Sequence, residues 1–184
     1  VVIQPTHIMN GDEFDKLRAQ AWPWRERFEH LAVGAPLLTS MQDYRDTARA
    51  LLGAFPPPAE DEALVLMGHG SGHYANAAYT MLEYLLHDLG HRRVFLGTVE
   101  GYPTLDEVRR RLAETPGVRR LTLAPFMLVA GDHARNDMAG TDPDAWKNVL
   151  TGDGYTVTCR LTGLGECSEV RSSFAAHACQ AAGA

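Results

Sequence analysis

The stretch ALVLMGHGSGH, residues 63–73, decides the fold. Ala63 to Met67 is an unbroken apolar run, Gly68 stops it, and His69 follows between two glycines. A short continuous apolar run bounded by glycine is how a strand buried on both faces of a parallel sheet reads. Two further stretches repeat the pattern: VFLGTVEGYP, residues 94–103, reaches Glu100, and LTLAPFMLVAGDH, residues 121–133, reaches His133. Successive strands of a parallel α/β sheet deliver their C-terminal ends to one rim, so these three side chains are expected to meet in one crevice.

Working outward, apolar runs alternate with helical periodicity, the sign of a sheet covered on both faces. Downstream of the first run, Ala78, Leu82, Leu86 and Leu89 form a helical stripe ending at Gly90 as C-cap. Val94 to Val99 is the next strand, and Leu105, Val108 and Leu112 share one face of the helix after it. Leu121 to Val129 reads as a third strand, a helix restarts at Asp142-Pro143, Tyr155 to Leu161 is a fourth strand, and a last helix runs from Ser168. Upstream, Val1 to Ile8 and Val33 to Leu38 read as strands. Gly11 to Leu31 reads as a helix that Pro23 must break or kink, and Ser40 with Asp43 opens another helix in capping-box spacing. Pro56, Pro57 and Pro58 mark a boundary, which divides the chain into residues 1–57 and 58–184. Two strands cannot make an independent doubly wound unit, so the first lobe is expected to be incomplete here. The opening VVIQPTHI, which lacks an initiator Met, agrees with a processed or partial product.

Composition narrows the function. The 184 residues are 45% hydrophobic and 22% charged, as in an ordinary globular protein, and the net charge of −6 argues against a phosphate-neutralising surface for nucleic acid. No apolar run is long enough for a membrane-spanning helix. Cys159, Cys167 and Cys179 are odd in number and lack CxxC spacing, which fits a reducing compartment or no redox role.

Each candidate ligand has a plainer reading. His69 is a loop histidine, but its flanking glycines let the backbone turn sharply and leave the ring facing the crevice. His73, four residues on, is either a further ligand or a partner orienting the first. Glu100 could cap the next helix, although Thr104 is better placed for that. His133 could be a helix-start histidine satisfied by Asp132. Two imidazoles and one carboxylate on one rim nevertheless make an open site for a borderline divalent metal.

The segments IQPTHIMNGDEFDKL (3–17), GAPLLTS (34–40), LMGHGSGHYANAAY (66–79), TVEGYP (98–103), PFMLVAGDHARNDMAG (125–140) with DAWK (144–147), and LTGLGE (161–166) resemble the anaerobic cobalt chelatases, the CbiK-type sirohydrochlorin cobaltochelatases. The resemblance implies a class II chelatase-like α/β fold of two similar lobes with parallel sheets and a cleft between them. By motif it carries the metal ligands onto His69, Glu100 and His133, and the base that takes a pyrrole proton onto His69. It implies ATP-independent insertion of Co²⁺ into sirohydrochlorin in anaerobic cobalamin biosynthesis, with Fe²⁺ insertion toward sirohaem as a further use.

Chelation suits these residues. Three protein ligands leave positions open for ring nitrogens to replace them, imidazole can accept a proton near neutral pH, and Glu100 offsets the charge of the cation and can relay protons outward. The ligand types admit Fe²⁺, Ni²⁺ or Zn²⁺ in place of Co²⁺. Neither a P-loop nor a GxGxxG turn occurs, so no nucleotide is expected. The tetrapyrrole is expected to touch His7, Met9, Gly70 and Ser71, the last two through backbone N–H groups, with His73 and Asp132 behind the ligands. The expected compartment is the cytoplasm, with the periplasm as the alternative because the family includes exported members; a homo-oligomer is compatible with the sequence. A non-catalytic metal or haem carrier and a His/Glu metallohydrolase are the alternative readings.

Overall fold

The computed structural model describes residues 1–183. Its centre is a four-stranded, all-parallel sheet formed by β3 (Glu62–Gly68), β4 (Val94–Thr98), β5 (Arg120–Pro125) and β6 (Thr156–Cys159), in the order β4-β3-β5-β6. In register, Leu64 lies opposite Val94 and Thr122, and Met67 opposite Gly97 and Pro125.

The apolar runs are continuous because the sheet is buried on both sides. Side chains alternate across a strand, so Leu64, Leu66, Val94 and Leu96 face one core, where they meet α2 (Met41–Ala54), α3 (Ala77–Asp88) and α6 (Ser168–Ala182) through Leu51, Leu82, Leu86 and Phe174. Ala63, Val65, Met67, Phe95 and Leu123 face the other core, against α4 (Leu105–Ala113) and α5 (Trp146–Gly152) through Val108, Leu112, Trp146 and Leu150. Leu37, Leu38 and Phe55 belong to the first of these cores, so the hydrophobic packing runs continuously past Pro56–Pro58.

The first segment is less regular than its apolar runs suggest. β1 (Val2–Ile3) pairs in parallel with β2 (Ala32–Val33), far short of the expected Val1–Ile8 and Val33–Leu38. Pro5 and Pro36 lack the N–H a ladder needs, and the Gln4 amide crosses between the strands to donate to the carbonyls of Pro5 and Ala35. Backbone pairing resumes beyond the break, where Leu37 donates to His7 and Leu38 to Ile8. The helix expected over Gly11–Leu31 is α1 (Asp12–Ala21), which tightens into a 3₁₀ segment at Trp22–Arg27 containing Pro23.

Two helices open on capping boxes. Ser40 Oγ accepts from Asp43 N–H while the Asp43 carboxylate accepts from Ser40 N–H at 2.6 Å; at α4, Thr104 Oγ1 accepts from Asp106 N–H at 3.3 Å and the Glu107 carboxylate accepts from Thr104 N–H at 2.8 Å. Gly90 follows α3 with φ of +94°, the left-handed conformation that favours glycine. β6 is shorter than the expected Tyr155–Leu161, and two other boundaries shift by about four residues. β5 stops at Pro125 rather than Val129, and the carbonyls of Met127 and Leu128 instead accept from Leu164 and Gly165. The helix expected at Asp142 starts at Trp146, because Asn148 holds the carbonyls of Gly140 and Asp142 in a turn.

The outer edge of β4 is sealed by charge. The buried Glu83 of α3 accepts from Leu96 N–H at 2.5 Å, Arg111 of α4 donates to Leu96 C=O at 3.0 Å, and Arg111 and Glu83 form an ion pair. Burial raises the Glu83 carboxyl above its ordinary pKa, although Arg111 and the Leu96 N–H oppose this. Both groups satisfy an edge that would otherwise present open hydrogen-bonding positions. The same arrangement fixes α3 and α4 to the strand that leads to Glu100.

Candidate metal centre

Parallel strands β3, β4 and β5 end on one rim, and the residues just past them converge. His69 follows Gly68 directly, Glu100 lies two residues beyond Thr98, and His133 lies in the loop after β5. One donor atom from each of His69, Glu100 and His133 lies within 4.8 Å of the others. His69 Nδ1 is 3.6 Å from a Glu100 oxygen, and the two imidazoles meet edge to face with centroids 4.6 Å apart. Ligands about 2.1 Å from a tetrahedral ion are roughly 3.4 Å apart. A group held within 4.8 Å therefore needs only a small contraction to become a three-ligand set.

The loops carrying His69 and Glu100 are locked together by backbone. Val99 and Glu100 N–H both donate to the His69 carbonyl, at 3.1 and 2.8 Å. Gly70 lies at φ of +83°, and a Cβ there would stand 2.7 Å from both Gly101 N and Thr98 Cβ, so only glycine lets the two loops close. Asn76 is a latch between them: its Oδ1 accepts from Ser71 N–H at 2.9 Å and its Nδ2 donates to Tyr102 C=O at 2.5 Å.

Hydrogen bonds assign the imidazole nitrogens. The Gly70 carbonyl, an acceptor only, lies 3.0 Å from His69 Nδ1, so Nδ1 is the donor there and Nε2 keeps the lone pair. His133 Nδ1 donates to Asp137 Oδ2 at 2.5 Å, which leaves its Nε2 free in the same way. The side chains of His69, Glu100 and His133 are 49%, 56% and 31% exposed, so the centre is open to ligand exchange.

A cleft of about 600 Å³ opens on the centre between residues 6–16 and the loops that follow β3, β4 and β5. His7, Met9, Gly70 and Ser71 line it together with His69 and Glu100. Ile8, Phe14, Met127 and Leu128 make its walls apolar, and Asp12, Glu13 and Lys16 supply charge. The backbone donors expected at Gly70 and Ser71 are already used: Ser71 N–H goes to Asn76 and Gly70 N–H points at the Tyr79 hydroxyl 3.5 Å away. The Ser71 hydroxyl donates to Asp12 Oδ2 at 3.0 Å, tying the loop to α1.

Two residues expected behind the ligands lie elsewhere. His73 Nδ1 accepts from Ala75 N–H at 3.2 Å, which commits its lone pair, and its Nε2 faces Asp15 at 3.9 Å, so it joins the loop to α1 rather than touching the metal group. The carboxylate that meets His133 is Asp137, not Asp132. The two belong to a turn in which residues four apart stack on one side, whereas a neighbour in sequence points away. The i to i+4 spacing of His133 and Asp137 is visible in the sequence only once helical winding is known there. Asn76 and Tyr79 carry no sequence signal of their latch roles.

Comparison with known proteins adds to this geometry. A family model described as "Cobalt chelatase (CbiK)" matches residues 1–183. The sirohydrochlorin cobaltochelatase of Salmonella typhimurium is 41% identical over 181 residues, which cover 98% of this chain and 68% of that protein. The sirohydrochlorin cobaltochelatase CbiKC of Nitratidesulfovibrio vulgaris is 38% identical over 169 residues, 90% of this chain and 59% of that one. Among solved structures, SirB from Bacillus subtilis with Fe³⁺ superposes with a TM-score of 0.66 at 15% identity, over 98% of this chain and 71% of that one. The sirohydrochlorin chelatase SirB from Bacillus subtilis subspecies spizizenii in complex with cobalt gives 0.59 at 13%, over 99% and 69%. At these identities the structural likeness is one of fold.

Proposed function

The chain belongs to the cobalt chelatase (CbiK) family, and from that premise we propose that it inserts Co²⁺ into sirohydrochlorin, without a nucleotide, as a step of anaerobic cobalamin biosynthesis. The observation that carries the proposal is the gathering of His69, Glu100 and His133 on one open rim facing a cleft with apolar walls.

The metal is a substrate here, held and then released. His69, Glu100 and His133 take the dication at the mouth of the cleft while the macrocycle lies against Ile8, Met9, Phe14, Met127 and Leu128. Residues 1–57 supply the facing wall, with His7 and Met9 against the substrate, and residues 58–184 supply the metal side. Gly70 and Ser71 shape the rim near the ring, with their own N–H groups engaged in the loop. As ring nitrogens replace protein ligands, two pyrrole protons leave. His69 Nε2 accepts one, and Glu100, the most exposed of the three side chains, passes protons to solvent. The products are the cobalt-sirohydrochlorin and two protons, so no redox partner or nucleotide is required.

Imidazole and carboxylate ligands also accommodate Fe²⁺, Ni²⁺ and Zn²⁺, and Fe²⁺ insertion toward sirohaem is a second use compatible with the site. No helix among the described residues is long and apolar enough to cross a membrane, and we place the reaction in the cytoplasm.

The test is anaerobic incubation with sirohydrochlorin and Co²⁺, followed by the visible spectrum of the macrocycle, beside His69→Ala, Glu100→Ala and His133→Ala. His69→Ala is expected to lose most, because ligand and base go together. Equal metallation rates in the parent and all three variants would overturn the site. Tight binding of the tetrapyrrole without a spectral shift would indicate a carrier, and ester or phosphate hydrolysis with bound zinc a metallohydrolase.

A further inference from the structure

The two imidazoles of the centre differ in what stands behind them. His69 Nδ1 hydrogen-bonds a neutral backbone carbonyl, that of Gly70, at 3.0 Å, while the Glu100 carboxylate, itself a member of the ligand set, stays beyond hydrogen-bond length at 3.6 Å. His133 Nδ1 faces the Asp137 carboxylate at 2.5 Å. A hydrogen bond to an ionised acceptor is roughly twice as strong as a neutral one. An imidazole backed by a carboxylate is also held in a fixed tautomer and ring orientation and becomes a more basic ligand.

The backbone is built to maintain this contact. Residues Ala134–Met138 form a single π turn, a wide winding that recurs at functional sites. Ala134 and Met138 are fully buried in the core shared with Val65, Met67 and Trp146, which fixes the inner side of the turn. His133 and Asp137, each one residue before a buried anchor, are therefore presented together on its outer side. The end of the turn closes on Gly140, where a Cβ would stand 2.2 Å from the Asn136 carbonyl oxygen. Asp137 also lines a hollow of about 440 Å³ between the starts of α4 and α5, which shares no lining residue with the cleft.

Resting on the reading of His69, Glu100 and His133 as the ligand set, we propose that Asp137 is a positioning residue that makes His133 the anchoring ligand and leaves His69 the exchangeable one. His133 keeps its grip while the ring nitrogens displace His69, which is then free to act as the base. The division follows from the two hydrogen-bond acceptors, a carboxylate at 2.5 Å behind one ring and an amide carbonyl at 3.0 Å behind the other.

The experiment is a Co²⁺ titration of the full chain without tetrapyrrole, followed by the absorption of bound cobalt, for the parent, Asp137→Ala, Asp137→Asn and the three ligand variants. Asp137→Ala is expected to weaken Co²⁺ binding about 10- to 100-fold, with Asp137→Asn, which keeps an acceptor oxygen without the charge, in between. His133→Ala is expected to lose more cobalt affinity than His69→Ala, the reverse of their order in metallation rate. The Asp137 side chain is 46% exposed, so its truncation leaves no cavity, and the thermal midpoint and binding of metal-free sirohydrochlorin should match the parent. Cobalt binding by Asp137→Ala within about twofold of the parent, while the ligand variants lose it, overturns the role of Asp137 and leaves the ligand set standing. Parent-like binding by all the ligand variants overturns the set and Asp137 with it.

Discussion

Replacing Gly70 by alanine tests how the backbone builds the centre. The new Cβ would lie 2.7 Å from Gly101 N and from Thr98 Cβ, at a residue whose φ is +83°. Holding a non-glycine residue in the left-handed region costs about 1–2 kcal/mol, and overpacking against backbone that cannot retreat adds about 1–3 kcal/mol. A loss of roughly 2–5 kcal/mol in unfolding free energy is expected, read from urea denaturation. The loop has a second way to respond, which is to move away from residues 98–101. That movement would break the Val99 and Glu100 hydrogen bonds to the His69 carbonyl, at 3.1 and 2.8 Å, and draw His69 away from Glu100. A misplacement of about 1 Å costs about 10²-fold in rate, so cobalt insertion should fall by about that factor in the fraction that remains folded. Stability and insertion rate should therefore fall together. A Gly70→Ala protein as stable and as fast as the parent would refute the idea that these two loops are in contact at Gly70.

Three other outcomes follow from contacts already described. Arg111→Ala leaves the buried Glu83 carboxylate without its cation and should destabilise the fold by about 3–5 kcal/mol in urea unfolding; Glu83→Gln should recover part of that loss in the Arg111→Ala background. Burial opposes ionisation of Asp43, but hydrogen bonds from His177 and Ser40 outweigh it and hold its carboxyl below the ordinary value of 3.8. The unfolded chain then binds the proton first, so this contribution is fully present above about pH 4 and lost as pH falls through the lower folded value; Asp43→Asn should flatten the acid side of the stability curve, and an unchanged slope would count against it. His73→Ala removes a side chain joined to Ala75 and Asp15, so its Co²⁺ titration should superimpose on the parent's, and a tenfold loss of affinity would return His73 to the metal group.

The parallel sheet was legible because burial on both faces leaves β3, β4 and most of β5 almost without polar residues, a pattern that needs no tertiary information. His69 and Glu100 were legible for the same reason, since each is the first side chain of metal-ligand type past such a run, and His133 follows its run with only Asp132 ahead of it. What could not be read depends on partners far away in sequence or on local winding. β1 and β2 look like full strands until Pro5, Pro36 and the Gln4 side chain interrupt the ladder. Asp132 looked the natural companion of His133, and only the π turn reveals that Asp137 is the residue beneath the ring. The backbone N–H groups at Gly70 and Ser71 looked available for substrate until Tyr79 and Asn76 were seen to face them. The Glu83–Arg111 pair is two ordinary charges in the sequence, and becomes structural only when α3 and α4 flank the same strand.

The return of α6 to the opposite end of the chain has a consequence for synthesis. His177, almost wholly enclosed, places one ring nitrogen 3.0 Å from the Ala35 carbonyl and the other 2.9 Å from Asp43, residues separated from it by 142 and 134 positions. Val170 and Phe174 complete the hydrophobic layer over Leu51 and Leu66. A ribosome that has made β1 through β6 has thus made a sheet with one flank only partly covered, by α2 and α3, and the nascent polypeptide must wait for α6 before that flank is fully shielded from water. Contacts of such long range slow acquisition of the native state and prolong the exposure of sticky surface. α6 is thereby the helix on which recovery of intact protein from the cell should depend most.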